Sequence, residues 1–273
     1  MNHKPLTRED YEEPCCPLST PSDSVPICVG RMIDKLDEYL NKNDYAGAER
    51  HLRYWRMEAE AGNDLRGKLT VVNEQMGLYR KMGKKEEGMA AIREGLALAD
   101  RLDLENTVTL GTTLVNAATG LKSFGEAEEA LKLYQKAQTI YEALLKPDDG
   151  RLGGLYNNQA LALAELGAFR EAEALYQKAI SIMERQEQGE LEVAITWCNL
   201  ADLASEEMGL LESEARVSEC LETAEKLLDA PSLPRNGYYA FVCEKCASTF
   251  GYYGYFLTEQ RLLKQAREIY ERA

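Results

Sequence analysis

Two stretches of this chain decide its fold: residues 125–142 read GEAEEALKLYQKAQTIYE, and residues 167–184 read GAFREAEALYQKAISIME. The second stretch begins 42 positions after the first, and both contain the tetrapeptide YQKA. When the comparison is extended to 110–142 and 152–184, 15 of 33 positions are identical. Self-similarity at a fixed period indicates a repeat architecture, in which each unit packs on its neighbours.

Glycine marks the turns of these repeats. Gly83, Gly125, Gly167 and Gly209 follow one another at intervals of 42 positions, and glycine readily takes the left-handed conformation that ends a helix. Apolar residues between them recur at spacings of three and four, which is the helical period. The pattern predicts six helix pairs: 28–41 with 45–61, 64–82 with 85–102, 107–123 with 126–145, 151–166 with 169–187, 190–208 with 212–229, and 236–255 with 257–272.

Residues after the turns predict how the two helices of a pair meet. Ala130 and Ala172 are small enough to let the second helix approach the first. Tyr134 and Tyr176 follow one turn later, where a large ring can fill the space between the helices. We therefore expect both tyrosines in the core.

These residues resemble a known repeat family. Residues 163–172 (LAELGAFREA) and 176–180 (YQKAI) are similar to the helix-turn-helix signature of the tetratricopeptide repeat. That family usually has a period of about 34 residues, and the longer period here, with Asn on the first helix, is similar to the kinesin light chain type of repeat. The resemblance implies an all-α, right-handed superhelical solenoid of about six antiparallel repeats.

The N-terminal segment 1–26 differs from the rest of the chain. It holds five of the eight prolines and shows little apolar periodicity, which is typical of extended or mobile segments. The sequence therefore predicts an N-terminal arm over 1–26 and a helical repeat domain over 27–273.

Net charge and composition limit the kinds of molecule that the chain is expected to bind. A net charge of −14 argues against nucleic acid and against an anionic membrane surface, because both need a Lys/Arg-rich face. A basic protein or peptide segment is compatible with it. The chain has no apolar run long enough to cross a membrane, no secretory apolar segment, and seven cysteines without a disulfide spacing, which favours a reducing cytoplasm.

An asparagine series on the first helices is the main candidate binding site. Asn is a mediocre helix former, so its repeated placement within helices needs a reason. In repeats of the type that the chain resembles, first helices line a concave groove, and an amide there can donate to and accept from a peptide backbone. The alternative is that these amides satisfy local backbone or inter-repeat hydrogen bonds. The candidates, nine or ten positions before each turn glycine, are Asn73, Asn116, Asn157, Asn158 and Asn199.

The family's carboxylate clamp, which adds Lys and Arg on the first helices, is largely missing. Lys68 and Lys122 are the only lysines that we expect near the relevant faces of the second and third pairs. This argues against a ligand that is recognised by a free C-terminus.

The last predicted helix pair is rich in aromatic residues. These side chains could form a partner or self-association surface, since aromatics are enriched in interface cores. They could instead cover the open end of the repeat core. The candidate interface residues are Tyr238, Tyr239, Phe241, Tyr252, Tyr253, Tyr255 and Phe256.

No pattern of residues predicts catalysis or a cofactor. Cys243 and Cys246 form a lone CxxC without the second ligand pair that zinc needs, so buried thiols are expected. Residues 62–69 mimic a phosphate-binding loop but are interpreted as a turn with a helix cap at Asn63 or Asp64. The sequence predicts a non-enzymatic, metal-free and cofactor-free scaffold that binds a protein or peptide in its groove. The alternatives are a bacterial-type regulatory receptor that changes shape on binding a small peptide, and a structural homo-oligomer.

Overall fold

The structure, a computed structural model, describes residues 24–272. The described residues form twelve α-helices and no β-strand. The helices are α1 (Val29–Asn41), α2 (Tyr45–Ala61), α3 (Leu65–Lys81), α4 (Lys85–Arg101), α5 (Val108–Ser123), α6 (Ala127–Leu144), α7 (Gly150–Glu165), α8 (Phe169–Met183), α9 (Glu190–Met208), α10 (Glu214–Leu228), α11 (Gly237–Tyr252) and α12 (Phe256–Tyr270). The all-α prediction and the six predicted helix pairs are confirmed.

Two helices end three or more residues earlier than the sequence predicts. Helix α8 stops at Met183 instead of 187, because residues 184–189 form a turn in which Gln188 has a φ of 59°. Helix α11 stops at Tyr252 instead of 255, because Gly254, with a φ of 84°, already forms the turn. Around Gly254 the chain stays aromatic, so apolar periodicity does not locate the end of α11, whereas residues 184–189 (ERQEQG) contain no apolar residue and the apolar pattern does stop at Met183.

The turn glycines all have the positive φ that the sequence predicts, but Gly209, with a ψ of 158°, lies outside the left-handed helical region. Gly83, Gly125, Gly167 and Gly209 have φ angles of 67°, 87°, 75° and 86°. In the first hairpin Asn43 takes the same region, with a φ of 56°. Asn tolerates the left-handed region better than most residues, which explains how this hairpin turns without glycine.

The chain divides into two compact units between Leu145 and Lys146. Helices α1–α6 make up the first unit and α7–α12 the second. In the first unit, α3 packs on α4 and α5 on α6, and the first helices α3 and α5 also contact each other. In the second unit α7, α9 and α11 pair with α8, α10 and α12, and α9 contacts both α7 and α11. First helices of successive hairpins therefore lie side by side within each unit.

The residues of the sequence repeat form the core of each hairpin. Tyr134 is 0% and Tyr176 1% exposed, and the alanines before them, Ala130 and Ala172, are both 0% exposed. Both predictions from the repeat are confirmed. The core of the second unit centres on Tyr176, Leu191, Ile195, Tyr239 and Phe250, and a core cluster of the first unit holds Met32, Leu36, Ala48, Leu52, Val71 and Leu78.

Most of the predicted N-terminal arm lies outside the described residues. The part that is described lies against the turn before α3: Val25 N donates to Gly62 O at 2.8 Å, and Ile27 N donates to Asp64 Oδ2 at 2.9 Å. Asp64 also caps α3, because its Oδ1 accepts from Gly67 N at 2.9 Å. The predicted helix cap in the 62–69 turn is thus confirmed at Asp64. Within residues 24–272, none of the helices has the length and apolar character that crossing a membrane requires.

Candidate functional site

Asn73 bridges two first helices of the first unit. It lies on α3 with 1% of its surface exposed, and its Nδ2 donates to Thr113 Oγ1 on α5 at 3.1 Å. Its Oδ1 is buried and accepts no hydrogen bond from the described residues. The NH₂ group of Asn73 therefore makes the inter-repeat hydrogen bond that the sequence offered as an alternative to ligand binding. Its carbonyl oxygen remains an unused acceptor.

Asn157 and Asn199 make the corresponding bridge in the second unit. Asn199 Nδ2, on α9, donates to Asn157 Oδ1, on α7, at 3.0 Å. Thr196 Oγ1 donates to the same oxygen at 3.1 Å. The half-buried Asn157 keeps its own NH₂ group, which can still donate to a ligand.

Asn116 and Asn158 occupy equivalent positions, one in each unit. They are 6% and 7% exposed. On α5 every residue from Gly111 to Leu121 is buried, so Asn116 has little surface to offer a ligand. Asn157 is therefore the most accessible of the five predicted groove residues.

A buried carboxyl group extends this polar arrangement to α11. The Tyr238 hydroxyl donates to Glu192 Oε1 on α9. Burial raises the pKa of Glu192 to about 7, and the hydrogen bond from Tyr238 opposes that rise. The two side-chain bridges, Asn157 with Thr196 and Asn199, and Glu192 with Tyr238, meet where Thr196 Oγ1 donates to the backbone oxygen of Glu192 at 2.9 Å. We name these five residues, across α7, α9 and α11, the polar seam.

A second carboxyl group, on Asp202, lies on the same helix as Glu192. Burial raises the pKa of Asp202 to about 6, while a hydrogen bond from Tyr253 lowers it. The nearby charge of Glu206 contributes to the rise. Two partly protonated acids and an exposed Glu206 therefore give α9 an acidic character.

The open side of the seam follows a row of half-buried residues. On α7 this row is Gly154, Asn157 and Leu161, and on α11 it is Tyr238 and Phe241, followed by Lys245. A Cβ atom added to Gly154 would meet no other atom within 4 Å. Space therefore exists above α7 for the backbone of a ligand.

Lys68 does not provide a groove cation. Its Nζ lies 2.8 Å from Glu60 Oε1 and 2.8 Å from Glu94 Oε1. Arg56 joins the same network through both oxygens of Glu94, at 2.9 and 2.7 Å. Lys68 is thus held in an ion-pair network, and Lys122 is half-buried at the end of α5.

The aromatic residues of the last hairpin divide between core and surface. Tyr239 is 0% exposed and donates to Leu228 O at 3.2 Å and Gln265 Oε1 at 3.1 Å, so it is a core residue and not part of a surface. Tyr253 and Tyr255 are half-buried. Tyr252 and Phe256 are 70% and 61% exposed.

The two cysteines of the CxxC pair are buried. Cys243 and Cys246 are 0% and 1% exposed, as predicted for buried thiols. Burial raises the pKa of the Cys243 thiol to about 12. Among residues 24–272, His, Cys, Asp and Glu side chains form no group of three that could hold a metal ion.

Sequence reasoning missed the buried charges of α9, although a signal was present. Asp202 lies seven positions before its turn glycine, where two other repeats have Ala118 and Ala160. Both alanines are 0% exposed. A charged residue at a position that is otherwise small and buried predicts a buried charge, and comparing the repeats position by position would have found it.

Comparisons with known proteins agree with this geometry. The tetratricopeptide repeat family matches residues 109–185. The kinesin light chain TPR-like repeats of Podosopora anserina superpose with a TM-score of 0.52 at 16% identity, covering 74% of this chain and 94% of that one. BtubC (BKLC) from P. vanneervenii gives a TM-score of 0.53 at 20% identity, covering 84% and 90%. No curated protein matches the chain.

The fold defines an all-α protein of stacked helix hairpins. Residues 109–185 match the tetratricopeptide repeat, and the fold is similar to that of kinesin light chain-like repeat proteins, as the sequence resemblance predicted. Repeats of this kind generally mediate protein–protein interaction.

Proposed function

We propose that the chain is a non-enzymatic binding protein that holds an extended protein or peptide segment against the first-helix face of its second unit. The polar seam is the observation that supports this proposal most directly. It links three neighbouring first helices through side chains, so their spacing is fixed before any ligand binds. A receptor that is already ordered loses little conformational entropy on binding.

The seam offers both kinds of hydrogen-bonding group that a peptide backbone needs. The NH₂ of Asn157 can donate to a ligand carbonyl, and the half-buried Asp202 can accept from a ligand N–H group. Half-buried Leu161 and Phe241 flank these groups and can contact apolar side chains. Asn73, Asn116 and Asn158 would have a supporting role, because each is almost completely buried.

Charge favours a basic ligand at this face. Glu192, Asp202 and Glu206 all lie on α9, and the whole chain carries a charge of −14. Such a field attracts basic segments and raises their association rate. The expected partner is therefore a protein segment with Lys or Arg residues among apolar ones.

Gly154→Arg tests the proposal, because Gly154 has open space beside it and Arg favours helix more than Gly does. Peptides selected on the wild-type protein from a displayed library would be measured by fluorescence anisotropy. We expect the variant to weaken their binding at least about tenfold, which corresponds to about 1.4 kcal/mol. Ala174→Arg, on the exposed surface of α8, is the matched control and should bind normally. Equal binding by both variants would contradict the proposal.

Self-association is a second candidate function, favoured by exposed apolar residues at the hairpin turns of the second unit. Leu211 and Leu257 are both 85% exposed, and Tyr252 and Phe256, close to Leu257 in the sequence, are 70% and 61% exposed. Apolar side chains that are grouped on a surface often mark interfaces. Sedimentation velocity should then show a dimer that Leu257→Ser weakens. A monomer at every concentration would exclude this candidate.

A further inference from the structure

Arg80 is a buried cation that forms no hydrogen bond through most of its guanidinium group. It lies in the last turn of α3, in the first unit. Its Nε and Nη2 atoms are shielded from solvent and meet no acceptor in the described part of the chain. Buried guanidinium groups normally have an acceptor for these donors, because an unpaired buried charge is costly.

A shortage of carboxylates does not explain this. The chain has 46 acidic residues against 32 basic ones. In the same unit Arg56 contacts both oxygens of Glu94, and Lys84 Nζ contacts Glu49 Oε2 at 2.7 Å. The surroundings of Arg80 instead provide two tyrosines, Tyr134 and Tyr45.

Two neighbouring cations, Arg80 and Lys81, differ in the carboxylates near them. Burial lowers the pKa of Arg80 to about 10, and the two tyrosines only partly offset this effect. The next residue is Lys81, whose pKa falls to about 8 through burial and then through the charge of Arg80. The charges of Glu74 and Asp37 raise the pKa of Lys81, but neither carboxylate contributes to the pKa of Arg80.

We propose that Arg80 is the centre of an oxyanion-binding site in the first unit, which takes a carboxylate or phosphate group. The Nε and Nη2 atoms form the side edge of the guanidinium group, the edge that binds such groups with two parallel hydrogen bonds. This site lies in the other unit from the polar seam, and it does not depend on the function proposed above.

Access to the site comes from the part of Arg80 that remains at the surface. The residue as a whole is half-buried, although Nε and Nη2 are shielded. Binding at that surface would require the guanidinium group to rotate, so that its donors turn towards the ligand. The bound oxyanion would then supply the acceptors that the protein itself does not.

The experiment uses the full chain and two probes, sodium phosphate and sodium acetate, each balanced with chloride at constant ionic strength. Resonances of arginine Nε–Hε groups report contact, with Arg80 assigned by comparison with Arg80→Met. Saturable movement of the Arg80 signal is expected. At ten times the dissociation constant, the bound anion should raise Tm by about 3–6 °C.

Arg80→Met separates binding from a merely structural role. Replacing an unpaired buried charge by an apolar side chain of similar length should leave Tm equal or higher in anion-free buffer, and the rise with the anion should disappear. Arg56→Met is the matched control: it removes a paired arginine, so Tm should fall while the rise with the anion remains.

The two probes identify the source of the oxyanion. A response to phosphate alone assigns a phosphate site, a response to acetate alone assigns a carboxylate site, and a response to both assigns a general oxyanion site. A fixed Arg80 signal with both probes would overturn the proposal. So would a rise in Tm that Arg80→Met retains.

Discussion

The substitution Gly111→Ala tests whether the repeat glycines of the first helices exist to let a second helix approach. Gly111 is identical to Gly153 when residues 110–142 are aligned with residues 152–184. A Cβ atom at Gly111 would lie 2.6 Å from Cδ1 of Tyr141. That ring cannot move away easily, because it is 3% exposed and its hydroxyl lies 2.8 Å from Thr112 Oγ1 in a hydrogen bond.

Two opposing effects set the magnitude. Replacing Gly by Ala inside a helix stabilises by about 0.8–1.0 kcal/mol, whereas overpacking a core costs about 1–3 kcal/mol. The net change for Gly111→Ala is therefore a loss of about 0–2 kcal/mol. At Gly153 a Cβ atom would lie 2.5 Å from Sδ of Met183, and because methionine is flexible the loss should be smaller.

Gly154→Ala is the control, because its Cβ atom would meet nothing within 4 Å. It should stabilise the protein by about 0.8–1.0 kcal/mol. Urea denaturation of the three variants, followed by circular dichroism, gives the free energies of unfolding. The expected order of stability is Gly154→Ala, then Gly153→Ala, then Gly111→Ala. If Gly111→Ala were as stable as Gly154→Ala, close approach would not be the reason for the glycine.

Three further predictions concern the seam and the helix caps. Burial raises the folded-state pKa of Glu192 from 4.5 to about 7, so the free energy of unfolding of the wild type should fall as pH rises from 4.5 to 7. Glu192→Gln should remove on the order of 2–3 kcal/mol of that fall. A variant whose stability follows the wild-type pH curve would refute this. A double-mutant cycle of Asn157→Ala and Asn199→Ala, measured by urea denaturation, should give a coupling free energy of about 0.5–3 kcal/mol, because the two amides share a hydrogen bond. A coupling free energy near zero would show that the two residues stabilise the fold independently. Asp64→Ala should cost about 0.5–2 kcal/mol in the same assay, since Gly67 N and Ile27 N both lose their acceptor, and Asp64→Asn should recover part of the loss.

Local features were predictable because each depends on a few neighbouring residues. The turn at Gly167 needs only the conformational freedom of glycine, and the burial of Tyr176 follows from its spacing within one hairpin. The ends of α8 and α11 were less predictable. Gln188 and Gly254 both have a positive φ, and around Gly254 the apolar pattern continues past the end of the helix.

The candidate site was only partly predictable, because its hydrogen bonds join residues that lie far apart in the chain, on successive repeats. The sequence places Asn157 and Asn199 on successive first helices, and it leaves open whether their amides face a ligand or each other. The structure brings Asn199 Nδ2 to Asn157 Oδ1. Tyr239 is a second example. The sequence placed it in a candidate interface with its aromatic neighbours, whereas in the structure it is completely buried in the core.

The sequence by itself determined the repeat, the hairpin turns and the small and aromatic residues that fill each hairpin. These features follow from the fixed repeat period and from helical spacing, and both can be read from the order of residues along the chain. Tertiary structure alone decided which polar groups are paired, because pairing depends on the register of one hairpin against the next. That register joins Asn157 to Asn199 and Glu192 to Tyr238, and it leaves the buried donors of Arg80 without an acceptor in the described chain.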